Sequence, residues 1–384
     1  MSNMKNFAAI CADPSGLNPG MLSVDLALDS VFRSLPGRNT LTYLNPKRAR
    51  SVPGNREGLE YLALNSPEEL ERYDCIIYWG DFVHWLPYAH WDWPYENPLL
   101  EAGWSVPKMV DHWYRMFLLE QHAAQFRDRV IVFGGTFYGM TARHLSDTRY
   151  QSALASLFSV ARLVAPRDFV SANLVPHIAP DQGYTLGCDC ALLLDADAAL
   201  PMDLAQKFVA DTVPEKFIVC FFGRSGMDTS LMRFAESVAA QFQVPLVVLD
   251  WLDQPEGLDG LAFKLAVIRR AAAVITDTYH LAVSGWREGV PVIGIGRAQS
   301  HATGTLDDKK KELFFRQILA ADYYLYAEEI AATLANTAEL EKMVQRTAAV
   351  LADADSLAQV QQILRNQVSA ARQKLIAALC APAV

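Results

Sequence analysis

One stretch, residues 271–296, constrains the fold more than any other part of the chain. Residues 271–276 form a short, apolar, β-branched run that is typical of a buried strand. Asp277 and Thr278 follow as helix N-cap residues, and apolar side chains then recur at helical spacing until Gly289. The next strand is predicted at residues 290–295. This order places Asp277, Thr278 and His280 at the carboxyl edge of a parallel sheet, where a helix N-terminus favours an anionic ligand.

Strands and helices alternate along the rest of the chain, the pattern of parallel sheets covered by helices. The predicted strands are 7–12, 41–44, 74–78, 129–133, 163–168, 190–195, 217–222 and 245–250. The predicted helices are 21–35, 109–126, 150–158, 171–174, 228–242 and 258–272, with further amphipathic helices from residue 327 to the end. The predicted fold class is α/β, with two Rossmann-like doubly wound domains facing a cleft (GT-B-like) and a helical C-terminus. Residues 1–195 are predicted to form the domain on the acceptor side of such a cleft, where the group that receives a transferred unit would bind. Residues 196–384 are predicted to form the domain on the donor side.

Composition excludes several classes of protein. The 384 residues carry a formal net charge of −9, which argues against nucleic acid as a partner. No apolar run approaches the roughly 20 residues of a membrane span, and the N-terminus lacks a signal-peptide pattern, so a cytoplasmic location is expected. The six cysteines include Cys188 and Cys190, but this CxC spacing has no second pair nearby, and no metal site is predicted.

The region from residue 79 to 104 contains five of the eight tryptophans and shows no helical or strand period. A long aromatic loop after a strand is often functional, so the favoured interpretation is a ligand-facing loop. The alternatives are a small satellite core or an oligomer contact. The acceptor-binding candidates, here and in the first turn of the chain, are Gly16, Asn18, Trp79, Trp85, His90 and Trp91. Asp81 and His84 are candidates for the base that deprotonates the acceptor.

Four segments, taken in order, resemble the polysaccharide pyruvyl transferase family. They are Asn18-Pro19-Gly20, the Arg167-Asp168-x-x-Ser171 pattern, the Asp189-x-Ala-x-x-Leu194 pattern, and Asp277-x-x-His280 followed by residues 289–293. The resemblance implies a GT-B-like fold. It also implies transfer of a pyruvyl group from phosphoenolpyruvate to hydroxyls of a sugar or related acceptor, with no other cofactor. Thr278 stands where the family commonly has Arg, and Trp79-Gly80-Asp81 where it commonly has a run of glycines.

Ketal formation from an enol phosphate requires a general acid, a base and groups that hold the leaving phosphate. His280 is the first candidate for general acid or donor contact. Arg224, Ser225 and Gly226 follow a predicted strand and precede a capped helix, a position that suits a bidentate hold on phosphate or carboxylate. Together with Asp277 and Thr278 they form the predicted donor site. The lysines at 309–311 are interpreted as a solvated helix start, and Arg167 and Asp168 as a structural pair.

Two other functions stay open at this stage. A GT-B glycosyltransferase would use a nucleotide-sugar donor and would often carry an acidic residue for the ribose hydroxyls; Glu288 is the one candidate, and it lies far along its helix. A degenerate, non-catalytic family member is the third hypothesis. The alanine-rich C-terminal helices are compatible with a homo-oligomer or with packing inside one chain.

Overall fold

The computed structural model describes residues 4–11, 18–47, 52–53, 59–80, 83–90, 92–95, 98–253, 256–298 and 307–382. The chain forms two compact units. The first comprises Met1–Leu17, Met21–Leu194 and Gln367–Val384, and the second comprises Asn18–Gly20 and Asp195–Asn366. The last segment therefore returns to the first unit, whereas the sequence-based division kept residues 196–384 together.

The first unit is built on one sheet. Its strands are β1 (Lys5–Cys11), β2 (Asn39–Asn45), β3 (Val52–Pro53), β4 (Glu60–Ala63), β5 (Cys75–Trp79), β6 (Val130–Phe133) and β7 (Ala161–Ala165). Their order is β3-β4-β2-β1-β5-β6-β7, parallel except for the short antiparallel pair β3–β4. Every side chain from Phe7 to Cys11 in the central strand is buried, which explains the unbroken apolar run there.

Helices of this unit connect and cover the strands. They are α1 (Pro19–Arg33), α2 (Leu86–His90), α3 (Asp92–Tyr95), α4 (Pro98–Glu101), α5 (Val106–Phe117), α6 (Ala142–Leu145), α7 (Thr148–Val160) and α8 (Phe169–Ile178). Short 3-10 helices lie at Pro67–Arg72, Ala123–Phe126 and Cys190–Leu193. Ser105, Asp147 and Asp168 begin α5, α7 and α8, and each side chain accepts a backbone N–H of the first turn.

Two predicted elements of this half are wrong. The helix expected at 109–126 ends at Phe117, because Leu119 and Gln121 adopt left-handed backbone angles, with φ of 48° and 67°. The strand expected at 190–195 is a 3-10 helix instead. Its N-cap Asp189 accepts the N–H of Ala191 at 3.0 Å, and this local bond favours a helical turn over sheet pairing.

The second unit carries a parallel sheet of β8 (Ile218–Phe221), β9 (Leu246–Val248), β10 (Ala273–Thr276), β11 (Val292–Gly296) and β12 (Tyr324–Tyr326). Their order is β12-β11-β10-β8-β9. Its helices are α9 (Ala196–Ala199), α10 (Met202–Thr212), α11 (Thr229–Gln241), α12 (Gly260–Arg270), α13 (Tyr279–Arg287), α14 (Asp307–Gln317), α15 (Ala327–Thr333) and α16 (Thr337–Ala352). A 3-10 helix lies at Ala321–Tyr323. The structure confirms the predicted α/β class and its two doubly wound, Rossmann-like sheets.

The last helix, α17 (Ala354–Cys380), begins in the second unit and ends in the first. Its C-terminus is fastened there by two cations. Lys5 donates to the carbonyl of Ala381 at 2.9 Å, and Arg162 donates to the carbonyls of Ala378 and Ala381 at 2.9 and 3.0 Å. Cations at a helix C-terminus satisfy its last carbonyls and complement its dipole.

Candidate functional site

The carboxyl edge of the second sheet brings together most of the predicted donor site. Strands β8, β10 and β11 are adjacent, so their ends open onto one edge. The loop after β8 contains Arg224, Ser225 and Gly226, and Asp277 follows β10. Helix α13 lies close to the sheet because position 285 is glycine; a Cβ there would come 2.5 Å from Val292 Cγ2.

Asp277 is the central residue of this edge. It is 3% exposed. Its carboxylate accepts the N–H of Ser225 at 2.7 Å and the N–H of Arg224 at 3.2 Å. Asp277 therefore holds the loop after β8, and those two N–H groups are committed to the protein. The Arg224 residue is exposed and Ser225 is half-buried, so both lie at the surface of the loop.

A second charged group lies beneath Asp277, and the sequence interpretation missed it. Lys311 belongs to the lysine run that was interpreted as solvated, yet it is 1% exposed. Its ammonium donates to the backbone carbonyls of Asp277 and Ile295 and lies 3.3 Å from Asp308 Oδ1. The pKa of Lys311 is lowered overall by burial, although the neighbouring Asp308 and Asp277 act in the opposite direction. Helical spacing could have predicted its burial, because Lys311 lies on the same helix face as the buried Phe315 and Ile318.

Thr278 and His280 lie at the N-terminus of α13. The Thr278 side chain caps none of the helix N–H groups and instead lies 3.3 Å from Asp277 Oδ1. His280 is half-buried, with its ring edge-on to Tyr279 at a centroid distance of 5.2 Å. Gly20, which belongs to the same unit, lies against this ring, and a Cβ at position 20 would come 2.4 Å from His280 Cγ. The catalytic role of His280 stays a prediction.

A pocket of about 220 Å³ adjoins the loop after β8. Its polar lining consists of Ser225, Asp228, Ser230, Arg297 and Glu328, and its apolar wall is formed by Leu231, Ala327 and Ala331. Arg297 donates to the Arg224 carbonyl at 3.2 Å, and Glu328 Oε2 accepts the N–H of Ala298 at 3.0 Å. Two acidic residues, Asp228 and Glu328, and one basic residue, Arg297, thus line the pocket at the sheet edge.

Sequence reasoning missed Glu328 because it missed β12, which is only three residues long and directly precedes α15. The available signal was an acidic first helical turn, at Glu328 and Glu329, after the aromatic run of β12. Glu288, the carboxylate considered from sequence, is engaged elsewhere. It is ion-paired with Arg269 and Arg287 at 2.6 and 2.7 Å, at the opposite end of α13.

The aromatic region of the first unit is a satellite core over its described residues, which corrects the predicted ligand-facing loop. Trp79 is 1% exposed, donates its indole N–H to the Val24 carbonyl at 2.7 Å and stacks on Phe133. Trp85 is also buried. These two side chains are enclosed by protein and present no face to an acceptor. The short helices α2, α3 and α4 lie within this region, and each is too brief to show a period in the sequence.

His84 is enclosed in the same core and is therefore a poor acceptor base. Its ring packs edge-on against Tyr78 at 4.8 Å and near Phe137 and Phe158. Burial lowers the pKa of His84 to about 3. The side chain therefore stays neutral across the physiological range. Because it is buried, it cannot exchange a proton with a ligand at the protein surface.

We predict an acid-dependent loss of stability from His84. Below pH 6.5 the unfolded chain binds a proton at this residue and the folded chain does not, until the pH nears 3. Stability therefore falls by up to about 1.4 kcal/mol per pH unit in this window, and by about 2.7 kcal/mol in total between pH 7.5 and 4.5. His84→Leu should remove that slope in urea unfolding measured at pH 7.5 and 4.5.

Phe137→Leu is the matched control, because it alters the same core without changing a titratable group. It should lower the free energy of unfolding equally at both pH values. An unchanged pH slope in His84→Leu would contradict the assignment.

The other predicted acceptor residues are placed differently. Asn18 Oδ1 accepts the N–H of Gly20 at 2.9 Å, a local bond at the start of α1. His90 is exposed at the end of α2. Gly16, Asp81 and Trp91 lie outside the described residues. The roles of these residues stay predictions.

Two segments that carry the family resemblance meet in the first unit. Arg167 pairs with Asp189 at 3.0 Å, and both are buried. Asp168 instead accepts the hydroxyls of Thr136 and Ser171 at 2.6 and 2.8 Å. The sequence interpretation was that Arg167 and Asp168 form a structural pair between elements, and here each residue contacts a different segment, Arg167 at Asp189 and Asp168 at Thr136.

No group of three or more His, Cys, Asp or Glu side chains among the described residues is arranged to hold a metal ion. None of the helices described has both the length and the apolar character needed to cross a membrane.

Known structures share this architecture. UDP-GlcNAc 2-epimerase from Neisseria meningitidis, solved with bound UDP-GlcNAc, is 10% identical; the match covers 98% of this chain and 99% of the epimerase, with a TM-score of 0.51. LpCGTa, solved in complex with UDP, is 10% identical, with 99% and 100% coverage and a TM-score of 0.52. The chain has a GT-B-like fold. At this identity the likeness shows the fold alone, and no family model or curated protein matches the sequence.

Proposed function

We propose that this chain is a GT-B-type transferase whose second unit binds the nucleoside diphosphate of a nucleotide-sugar donor. The observation that carries the proposal is the pocket in which Glu328 and Arg297 lie beside the loop after β8. A carboxylate there suits the two hydroxyls of a ribose, and an arginine suits a phosphate. The wall of Leu231, Ala327 and Ala331 is apolar and suits the face of a base.

Charge supports an anionic donor at this edge. The protein as a whole is negative, so a diphosphate needs a local group of cations. Arg297 donates a hydrogen bond to the backbone carbonyl of Arg224, so the two arginines are neighbours. The N-terminus of α13 adds the positive end of its helix dipole. These groups supply the positive charge that an arginine at position 278 would have given, where this chain has threonine. The solved structures with UDP and UDP-GlcNAc bound make uridine nucleotides the first donors to test.

Pyruvyl transfer from phosphoenolpyruvate to sugar hydroxyls is the second candidate. The four ordered segments of the sequence favour it, and the two arginines of the edge also suit a small phosphorylated carboxylate. Two of those segments, however, contribute buried structural contacts through Arg167, Asp168 and Asp189. Phosphoenolpyruvate has no ribose hydroxyls to which the Glu328 carboxylate could bind. The nucleotide-sugar proposal therefore has more support.

Ligand-induced stabilisation tests the two candidates. UDP or UDP-GlcNAc at a hundred times its dissociation constant should stabilise the protein by about 2.7 kcal/mol, a visible rise in melting temperature. A rise with phosphoenolpyruvate alone would favour pyruvyl transfer. No rise with either ligand class would contradict both proposals.

Glu328→Gln is expected to weaken UDP binding by about tenfold, since a hydrogen bond to a charged group contributes about 1.5–3 kcal/mol. Glu329→Gln is the matched control, because Glu329 is adjacent, is also exposed and does not line this pocket. Isothermal titration with UDP measures both variants. Equal affinity for the two variants would remove Glu328 from the proposed ribose site.

A further inference from the structure

We propose that Lys311 is a positioning residue for donor binding, whose ammonium joins the ends of β10 and β11 and thereby fixes the loop after β8. The inference rests on the proposed function for its link to the donor. Its structural part stands on contacts alone. Lys311 is 1% exposed and projects from α14 to the carbonyls of Asp277 and Ile295.

The ammonium has no capacity left for a ligand. A lysine has three N–H donors, and here the three acceptors are the Asp277 carbonyl, the Ile295 carbonyl and Asp308 Oδ1. Its burial also keeps it from the surface that a donor would reach. Lys311 can therefore influence a ligand only through the residues it holds, which is why it is a positioning residue.

Those residues form a closed ring of contacts. Lys311 holds the main chain of Asp277, and the Asp277 carboxylate holds the N–H groups of Arg224 and Ser225. Arg297 donates back to the Arg224 carbonyl. Arg297 also follows Ile295 by two residues, so the second carbonyl held by Lys311 belongs to the same segment. Loss of one link loosens the loop and the arginine that the donor site requires.

Stability alone does not account for a lysine at this position. Burying an ion pair incurs a large desolvation cost, and apolar replacements of buried pairs are often neutral or stabilising. Lys311 and Asp308 are such a pair. A methionine at position 311 would fill much of the same volume, but it would leave two carbonyls at the sheet edge without their donor and the Asp308 carboxylate without its cation. The ammonium of Lys311 therefore contributes more to the position of the backbone at the sheet edge than to core packing.

Lys264 provides a matched control in the same unit. It lies in α12, is also 1% exposed, and donates its ammonium N–H to the Asp253 carbonyl. Asp253 is not one of the residues of the ring around Lys311. Lys264→Met should disturb a buried lysine to a similar extent without disturbing the proposed donor site.

The experiment compares Lys311→Met, Lys311→Arg and Lys264→Met with the full-length wild-type chain. Hydrogen exchange of the amides of Arg224 and Ser225, followed by mass spectrometry of a peptide covering both, should accelerate at least tenfold in Lys311→Met. The dissociation constant for UDP should rise at least tenfold in the same variant. Lys264→Met should leave both quantities within about twofold of the wild type.

If Lys311→Met does not fold, Lys311→Arg decides the matter. Arginine keeps the charge but presents a planar fork that cannot place its donors on the same three acceptors. It should fold, exchange the two amides faster and bind UDP more weakly. Wild-type exchange and wild-type affinity in the folded Lys311 variant would overturn the proposal. If the wild type binds no UDP, the proposed function fails separately, and the exchange comparison still decides whether Lys311 positions the loop.

Discussion

Asp277→Ala is expected to remove about 3 kcal/mol from the free energy of unfolding of the second unit and to abolish donor binding. The reason is that a carboxylate only 3% exposed accepts two backbone N–H groups of the loop after β8. Hydrogen bonds to a charged group contribute about 1.5–3 kcal/mol each, and water can replace part of this because the loop is partly exposed. For a unit of this size the melting temperature should fall by about 6–12 °C in calorimetry.

Asp250→Ala is the control for this prediction. Asp250 follows β9 as Asp277 follows β10, and its carboxylate accepts the N–H groups of Leu252 and Asp253 at 2.9 and 3.3 Å. Asp250 is exposed, however, so water replaces the carboxylate and the loss should stay below about 1 kcal/mol. Asp277→Asn keeps one acceptor oxygen and should fall between the two. Equal effects of Asp277→Ala and Asp250→Ala would show that burial of Asp277 has no special role.

The core of this site could be predicted from sequence because its signals are local. Residues 273–287 combine an apolar β-branched run, two cap residues and helical spacing, and the structure confirms a strand and a helix there. Strand ends of a parallel sheet share an edge, so the loop containing Arg224 and the turn at Asp277 were expected to meet. The bond between Asp277 and that loop follows from this topology.

The missed residues depend on tertiary packing. Lys311 lies in a run of three lysines, and only the packing of α14 against β11 turns it inward. Glu328 follows a three-residue strand that carries almost no pattern. Trp79 was misassigned for a related reason: a tryptophan at a strand end suits either a ligand or a core, and its stacking partner Phe133 comes from a strand far along the chain. Sequence spacing alone cannot separate these alternatives.

The second large effect is expected in the first unit, at the pair formed by Arg167 and Asp189. Arg167→Met should lower the free energy of unfolding by about 3–5 kcal/mol, because it leaves a carboxylate that is 3% exposed without its arginine. The surface pair of Lys342 and Glu339 has side chains 70% and 51% exposed, so Lys342→Met should leave the free energy of unfolding nearly unchanged. Urea unfolding of the two variants measures the contrast.

The double variant Arg167→Met with Asp189→Asn separates the cost of an uncompensated charge from the loss of a contact. Asparagine retains an oxygen for the N–H of Ala191, so the cap of the following 3-10 helix is kept while the charge is removed. More than half of the lost stability should therefore return, a strong departure from additivity. Such a result would explain two of the four family-like segments by packing alone. Wild-type stability with lost turnover in Arg167→Met would instead assign that arginine to the chemistry.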